Sequence, residues 1–404
     1  MLFNALHKQR YVCYILLYLS FAVAIMPIRL MGIFNTAYIV LPISMIVSIL
    51  ISYTFFIQNR GQGLSLVEYI IMLYPMCTIP LAVVNGHEIN YIITDALKPI
   101  LWIGVLGYFK TVKFNNQFFE DIKTPTVILA VCSVFTVSSV GYIIATRGGV
   151  RASASDISML FPLFYFLISR YYAAFFFMLA FILLGGKVGP LISIVIVFLS
   201  WIFVNLNLKR VIYLFLVGII FIFIAMTFNY DTWREHLPIL GKFRIFFDGS
   251  WVGFDSDFLD KYLLGGRLSE VTGSLTEYRD SLLLLFTGPG VGYTYDLVRD
   301  GILEQSNRHG VHLSPISLVT IYGLFYTLIF YGYLFYVFIN SLFILKKIEC
   351  VSKVKLLSAT FFIANLVNSF TVYAIFSVLL FPMVIGLLLN NNIVREDDEL
   401  SRCV

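Results

Sequence analysis

The chain has 404 residues, 59% of them hydrophobic and only 13% charged, with a formal net charge of +5 and a mean hydropathy of +0.88. A soluble domain carries about 25% charged residues, so this composition excludes an ordinary water-soluble fold. The first apolar run, 11–28, follows a basic leader of His7, Lys8 and Arg10. It lacks a small-residue cleavage signature and reads as a retained first span. Further runs follow at 33–57, 66–84, 91–109, 125–146, 157–169, 171–185, 188–206, 209–228, 322–345, 355–373 and 376–390. Most approach the ~20 residues needed to cross about 30 Å of hydrocarbon. The pair 157–169 and 171–185 is shorter and also reads as one bent element. Apolar character is continuous along the runs, not alternating, so they are helices and not barrel strands. The expected fold is an all-α polytopic membrane protein with about twelve transmembrane helices.

Orientation follows from Lys and Arg. With the N-terminus in the cytosol, cytosolic segments collect most of the cations, from Lys8 and Arg10 through Lys110, Lys209 and Arg210 to Lys346, Lys347 and Arg395. The short outer loops keep only Arg29, Arg147, Arg151 and Lys187, which is the positive-inside bias. Residues 1–228 then hold nine spans, 315–390 hold three, and 391–404 form an acidic cytoplasmic tail. Between them, 229–314 form an outer loop of about 86 residues, a length usual for functional segments. Its Trp233, Phe246, Phe247 and Trp251 argue against disorder. Within it, Asp255–Leu264 and Gly266–Phe286 read as helical, and Thr287–Tyr293 (TGPGVGY) as a tight turn.

None of the five cysteines lies in that loop, so neither a disulfide nor a zinc site is expected. TGPGVG is not a phosphate loop, because no Gly-Lys-Ser/Thr follows. The first outer loop, RLMG (Arg29–Gly32), carries no carboxylate to hold a metal. No metal, cofactor or nucleic acid is expected.

Cations retained on the outer face are the candidates for chemistry. Arg147 and Arg151 flank ATRGGVRASASD, Lys187 lies in LLGGKVGP, Arg267 in LGGRLSEV and Arg279 in TEYRDS. Taken singly, each also fits a bland role, snorkelling to headgroups or sitting solvated in a loop. Together they suit an anion, and arginine binds a diphosphate in a fork that lysine cannot copy. His312 ends the loop where the chain turns apolar. It reads as a base or a helix-end hydrogen-bonder, and His309 as the weaker candidate because it lies further from the membrane.

The stretch His312–Tyr326 resembles the pattern of the O-antigen polymerase and ligase superfamily: His, a polar residue, nine residues, Gly, two residues, then Gly, Thr or Tyr. His312, Gly323 and Tyr326 match, and Leu313 departs. Upstream, Arg267 followed by Gly288, Gly290 and Gly292 resembles the family's loop segment, with Val271 where a Trp is frequent. RASASD and GGKVGP resemble its outer-loop cation segments, so the resemblance covers roughly 145–330.

The resemblance implies a GT-C-like membrane glycosyltransferase at the periplasmic face of the bacterial inner membrane. Donor and acceptor would be undecaprenyl-diphosphate-linked oligosaccharides, joined into an O-antigen or capsule-type polysaccharide, with a chain-length regulator as a partner protein. Arg147, Arg151, Lys187, Arg267 and Arg279 would stabilise the leaving diphosphate. His312 would orient or deprotonate the acceptor hydroxyl, and the 229–314 loop would act as a lid. The departures at Leu313 and Val271 favour a polymerase over a ligase. The alternative of another class is a lipid-linked oligosaccharide flippase, for which midplane charges and repeated halves are the expected signs. Glu68, Asp95 and Lys98 fall near span ends and no repeat is visible.

Overall fold

The computed structural model describes residues 2–30, 35–58, 60–114, 117–147, 157–184, 188–205, 267–278, 281–299, 302–311, 313–348, 351–370, 375–376 and 378–393. Its helices are α1 (Leu2–Ala24), α2 (Met26–Leu30), α3 (Ala37–Tyr53), α4 (Leu66–Cys77), α5 (Ile79–Val84), α6 (Ile89–Thr111), α7 (Phe118–Asp121) and α8 (Lys123–Arg147). After these come α9 (Leu160–Ile168), α10 (Tyr172–Leu184), α11 (Val188–Val204), α12 (Arg267–Leu275), α13 (Leu282–Thr287), α14 (Ser314–Lys346), α15 (Lys353–Ser369) and α16 (Leu380–Leu389). Strands β1 (Thr294–Arg299) and β2 (Ile302–His309) pair antiparallel between α13 and α14.

Among the described residues, six helices are long and apolar enough to cross a membrane: Arg10–Ile28, Tyr38–Gln58, Leu66–Val84, Ile89–Thr111, Phe118–Val140 and Ser314–Lys346. They coincide with six of the expected spans. Their outward faces are apolar as well, with Leu41, Val131, Leu328 and Phe335 each more than half exposed. An exterior of that kind suits lipid rather than water. Ile157–Ile168, Tyr172–Leu184, Gly189–Val204 and Leu380–Leu389 are apolar but shorter. The expected span 209–228 lies outside the described residues, as does the expected helix Asp255–Leu264.

Of the two readings of 157–185, the structure has the two separate helices and not one bent element. Arg170 adopts a left-handed φ of 63°. Its N–H donates to Leu167 O (3.1 Å) and the Tyr171 N–H to Phe166 O (2.8 Å), the closure that ends helices and reverses the chain. Helix α10 then packs back against α9.

Helix α6 sits at the centre, packed on α3, α4 and α16. Ile103, Val105, Leu106 and Phe109 on it are wholly buried; α3 crosses it closely at Gly104 through Ser52, and Phe55, in the π-helical turn Thr54–Gln58 that follows α3, lies on Gly107. Trp102 donates from Nε1 to Ile375 O at 3.1 Å inside a ring cluster with Phe330, Phe376 and Phe381. The last carbonyls of α6 meet Asn390, whose Nδ2 donates to Phe109 O (2.8 Å) and Val112 O (2.7 Å). Asn390 is fully buried, so Asn390→Leu leaves two buried carbonyls without a donor. A loss of about 2–3 kcal/mol is expected, measurable as thermal unfolding in detergent.

Beside that end of α6 lies a buried ion pair. Lys110 Nζ donates to both oxygens of Glu68, at 2.9 and 2.8 Å, and the Tyr333 hydroxyl donates to Glu68 Oε1 at 2.7 Å. Glu68 also closes a capping box with Ser65 at the start of α4, which neutralises an otherwise open helix end. Its side chain is 1% exposed, so the carboxylate is tolerable only because each oxygen is hydrogen-bonded.

Helix α14 has 33 residues, about 50 Å at 1.5 Å per residue, more than hydrocarbon of ~30 Å requires. It is broken at Gly323, with φ 85° and ψ 167°. The part after Gly323, about 35 Å long, is the membrane-length piece. The part before it lies between two cores: Ile316 packs on a separate small core of Tyr278, Tyr293, Tyr295, Leu297 and Val311, while Leu318, Ile321 and Tyr322 belong to the main one. The expected helix over Gly266–Phe286 is likewise interrupted, as α12, a 3-10 turn Thr276–Tyr278 and α13. The β1–β2 hairpin departs from the all-α expectation. Its edge residues, such as Gln305, Ser306 and Arg308, are polar and give it no hydrophobic run to announce it.

Candidate functional site

The TGPGVGY segment is where the loop meets the bundle. It lies across the ends of α4, α5 and α6, and side chains from those elements take up its backbone groups. Tyr74 OH donates to Thr287 O (3.3 Å) and Asn85 Nδ2 to Pro289 O (2.9 Å). His87 Nδ1 meets Val291 O (3.0 Å), and the Gly292 N–H donates to Asp95 Oδ2 (3.0 Å). Irregular backbone at a membrane mouth is stable only when satisfied in this way.

The glycines make the approach possible. At Gly288, with φ 76°, a Cβ would stand 2.6 Å from the Gly323 nitrogen and 2.7 Å from the Tyr322 carbonyl carbon. Gly290 and Gly292 lie as tightly on the backbones of Ala82 and Ile92. Gly323 is thus a close-packing residue whose partner is the loop, at a break in α14. Tyr326, three residues on, is wholly buried and donates to Ile71 O at 3.3 Å.

Behind the turn lies a buried polar cluster built around Asp95. The carboxylate has no solvent exposure. It accepts from Gly292 N–H, from Lys98 Nζ at 3.1 Å and from His309 Nε2 at 3.2 Å. His309 sits at the end of β2, stacks on Tyr91 with ring centroids 4.4 Å apart, and has its Nδ1 2.9 Å from Tyr293 O. Both ring nitrogens thus face acceptors, and the imidazole donates to both when it is protonated. Tyr322, just before the break in α14, donates its hydroxyl to the Asp95 main-chain oxygen at 2.9 Å. One residue of α6 thereby ties together the glycine turn, the hairpin and α14.

Around this anchor, Arg308 pairs with Glu270 of α12 at 2.7 Å, and Tyr278 OH donates to Thr320 O at 2.6 Å. Burial pushes the Tyr295 phenol up to about 12, so it stays a neutral donor, here to Gly310 O at 3.4 Å. The small core is therefore pinned on every side, and its last residue, Val311, directs its N–H to Ser317 Oγ at 3.3 Å.

Of the residues singled out from sequence, Arg267 opens α12, partly buried and without a partner among the described residues. An arginine in the first turn of a helix opposes the helix dipole, so the fold gains nothing obvious from it there. Arg147 is the last residue of α8. His312, Arg151, Lys187 and Arg279 lie outside the described residues. The neighbours of His312 are described: Val311 closes the small core and Leu313 is the residue before α14. Of the residues picked out for their spacing, Gly288 and Gly323 meet each other, while Gly290, Gly292 and Tyr326 contact Ala82, Ile92 and Ile71.

The sequence reading took Asp95 and Lys98 only as charges near span ends, did not single out Tyr91, and ranked His309 below His312. A signal was available for the first two. An acid and a lysine three apart in an apolar helix are neighbours on one face, and ionisable groups in such helices pair or serve function. Nothing local announces that His309 closes the cluster across more than 200 residues. Among the described residues, no group of three or more His, Cys, Asp or Glu side chains is arranged to hold a metal ion. Comparison of the chain with protein-family models, with curated proteins and with solved structures gives no match.

Proposed function

We propose that this chain is a membrane glycosyltransferase that polymerises undecaprenyl-diphosphate-linked oligosaccharides into an O-antigen or capsule-type polysaccharide. In this reading the hairpin end of the bundle faces the periplasm of a bacterial inner membrane, and about twelve spans surround the site. Both termini are cytoplasmic. Arg267, with Arg147, Arg151, Lys187 and Arg279, meets the diphosphate of the donor, where fixed cations act best in a water-poor site. His312 orients the acceptor hydroxyl and takes its proton as the glycosidic bond forms and undecaprenyl diphosphate leaves.

The observation that carries the reading is the docked glycine turn. The residues that resemble the family pattern fix this docking, Gly288 against Gly323, Gly290 and Gly292 on Ala82 and Ile92, and Tyr326 on Ile71, and in the chain the turn lies between α12, which Arg267 opens, and α14. A position anchored on both sides is what a catalytic group at a membrane surface needs.

The buried Asp95–Lys98–His309 and Glu68–Lys110 clusters favour a second reading, a lipid-linked oligosaccharide flippase, since intramembrane charges also mark transport routes. Both acids are saturated with donors and lie near helix ends, which suits anchors better than carriers.

The test uses cells of the source strain with His312→Ala or Arg267→Ala, membrane levels verified, and surface glycan run on a gel. The expected result is a ladder collapsing to a single repeat unit, with at least a hundredfold loss of polymer. Loss of all surface repeats points instead to ligation or flipping. An unchanged ladder overturns the site assignment.

A further inference from the structure

At the end of α6 away from the hairpin, the Glu68–Lys110 pair borders a cavity of about 890 Å³. Apolar walls come from α14, through Leu328, Ile329, Phe343 and Ile344, and from Leu388 and Leu389 of α16. Leu328 and Phe343 are about 60% exposed, so the apolar wall continues onto the outer, lipid-facing surface of the bundle. A cavity of this size, apolar with a few converging polar groups, is of the kind that holds a small molecule.

Its polar groups include several that can donate to a ligand, namely Lys110, Asn340, Asn391 and Tyr336. The acceptor capacity of Glu68 is spent: Oε1 takes Lys110 and Tyr333, and Oε2 takes Lys110 and the Ser65 N–H. The Lys110 ammonium has three protons. Two of them go to Glu68, and the side chain remains 19% exposed. Asn340, Asn391 and the Tyr336 hydroxyl also line the space, none with a side-chain hydrogen bond among the described residues. Lys346 and Lys347 stand exposed at the end of α14, one turn beyond Phe343. An oxyanion satisfies these donors, and only an amphiphile also covers the walls.

We infer that the cavity binds a phospholipid, its phosphate at Lys110 and Asn340 and its chains along α14 and α16. The site is separate from the hairpin end, and the inference does not depend on the proposed glycosyl transfer. Gly332 lies in the cavity wall, and a Cβ built there meets nothing within 4 Å. Gly332→Leu therefore introduces a side chain into the cavity wall with no clash at its Cβ. It also replaces the poorest ordinary helix former by a good one, and its lipid-free Tm reports whether the fold is kept.

The experiment takes the full chain, purified and delipidated in detergent. It adds phosphatidylglycerol, a diacylglycerol of the same chains, or inorganic phosphate, and reads thermal unfolding and lipid retained in native mass spectra. Phosphatidylglycerol is expected to raise Tm and to remain bound. Diacylglycerol and inorganic phosphate should do neither. Gly332→Leu should keep the lipid-free Tm and lose at least tenfold in phosphatidylglycerol affinity, while Asn340→Ala loses severalfold. Equal stabilisation of parent and Gly332→Leu, or none of either, overturns the site. Equal stabilisation by diacylglycerol reduces the cavity to an apolar groove, and a response to inorganic phosphate alone makes it a free-anion site. Both outcomes overturn the lipid phosphate.

Discussion

Asp95→Ala is expected to cost about 3–5 kcal/mol, the usual penalty for removing one partner of a buried charged network. Three donors converge on the carboxylate: the Gly292 N–H, Lys98 and His309. Lys98 is 26% exposed and recovers part of its loss in water. The Gly292 N–H is buried against Ile92 and recovers nothing. Asp95→Asn keeps one acceptor oxygen and should fall between parent and alanine variant. The effect is read two ways. Thermal unfolding in detergent reports the total. Trypsin cleavage after Arg299 and Arg308, measured well below Tm, reports local release of the hairpin, because the cluster holds β2 directly through His309. Stability and cleavage equal to the parent would show that Asp95 does not anchor the loop. If the chain polymerises glycan, the same variant shortens the ladder while leaving every proposed diphosphate ligand in place.

Much of the bundle was legible because lipid imposes a simple rule. Runs such as 91–109 and 125–146 must be helical to satisfy their own backbones, and the structure has α6 and α8 there. The glycine turn was legible too, since closely spaced glycines at 288, 290 and 292 have few uses other than positive φ and close approach. What stayed hidden depends on distant partners. The hairpin has a bulged register and β2 is continuously polar from Glu304 to His309, so the strands gain their stability from Tyr278, Tyr293 and Val311, not from a pattern of their own. The ranking of His309 below His312 rested on linear distance from the apolar run. A hairpin reverses the chain, and the end of β2 comes back to α6. The helix break at Gly323 was hidden because the flanking residues are apolar on both sides. Hydropathy cannot tell a continuous helix from two that meet at a corner.

That corner sets the second large effect. Gly323 has φ 85° and ψ 167°, a region that only glycine occupies without strain of about 1–3 kcal/mol. A Cβ there would also come within 2.5 Å of Phe286 O and of the Thr287 carbonyl carbon. These are backbone atoms with no rotamer to yield. Gly323→Ala is therefore expected to cost more than about 3 kcal/mol, strain and overpacking together. Much of that appears as separation of the turn from α14. Gly288→Ala meets the same contact from the other side, 2.6 Å from the Gly323 nitrogen. Once either substitution has parted the two backbones, the second clash has largely vanished. The double variant should then fall well short of the sum of the singles, with a coupling of about 1–3 kcal/mol. Gly332→Ala in the same helix, where nothing lies within 4 Å, should be neutral or stabilising and controls for helix propensity. A double-mutant cycle on thermal unfolding in detergent measures all of this. Strict additivity would mean that turn and helix do not share one contact, and the proposed role of the docked turn in holding the site would lose its physical basis.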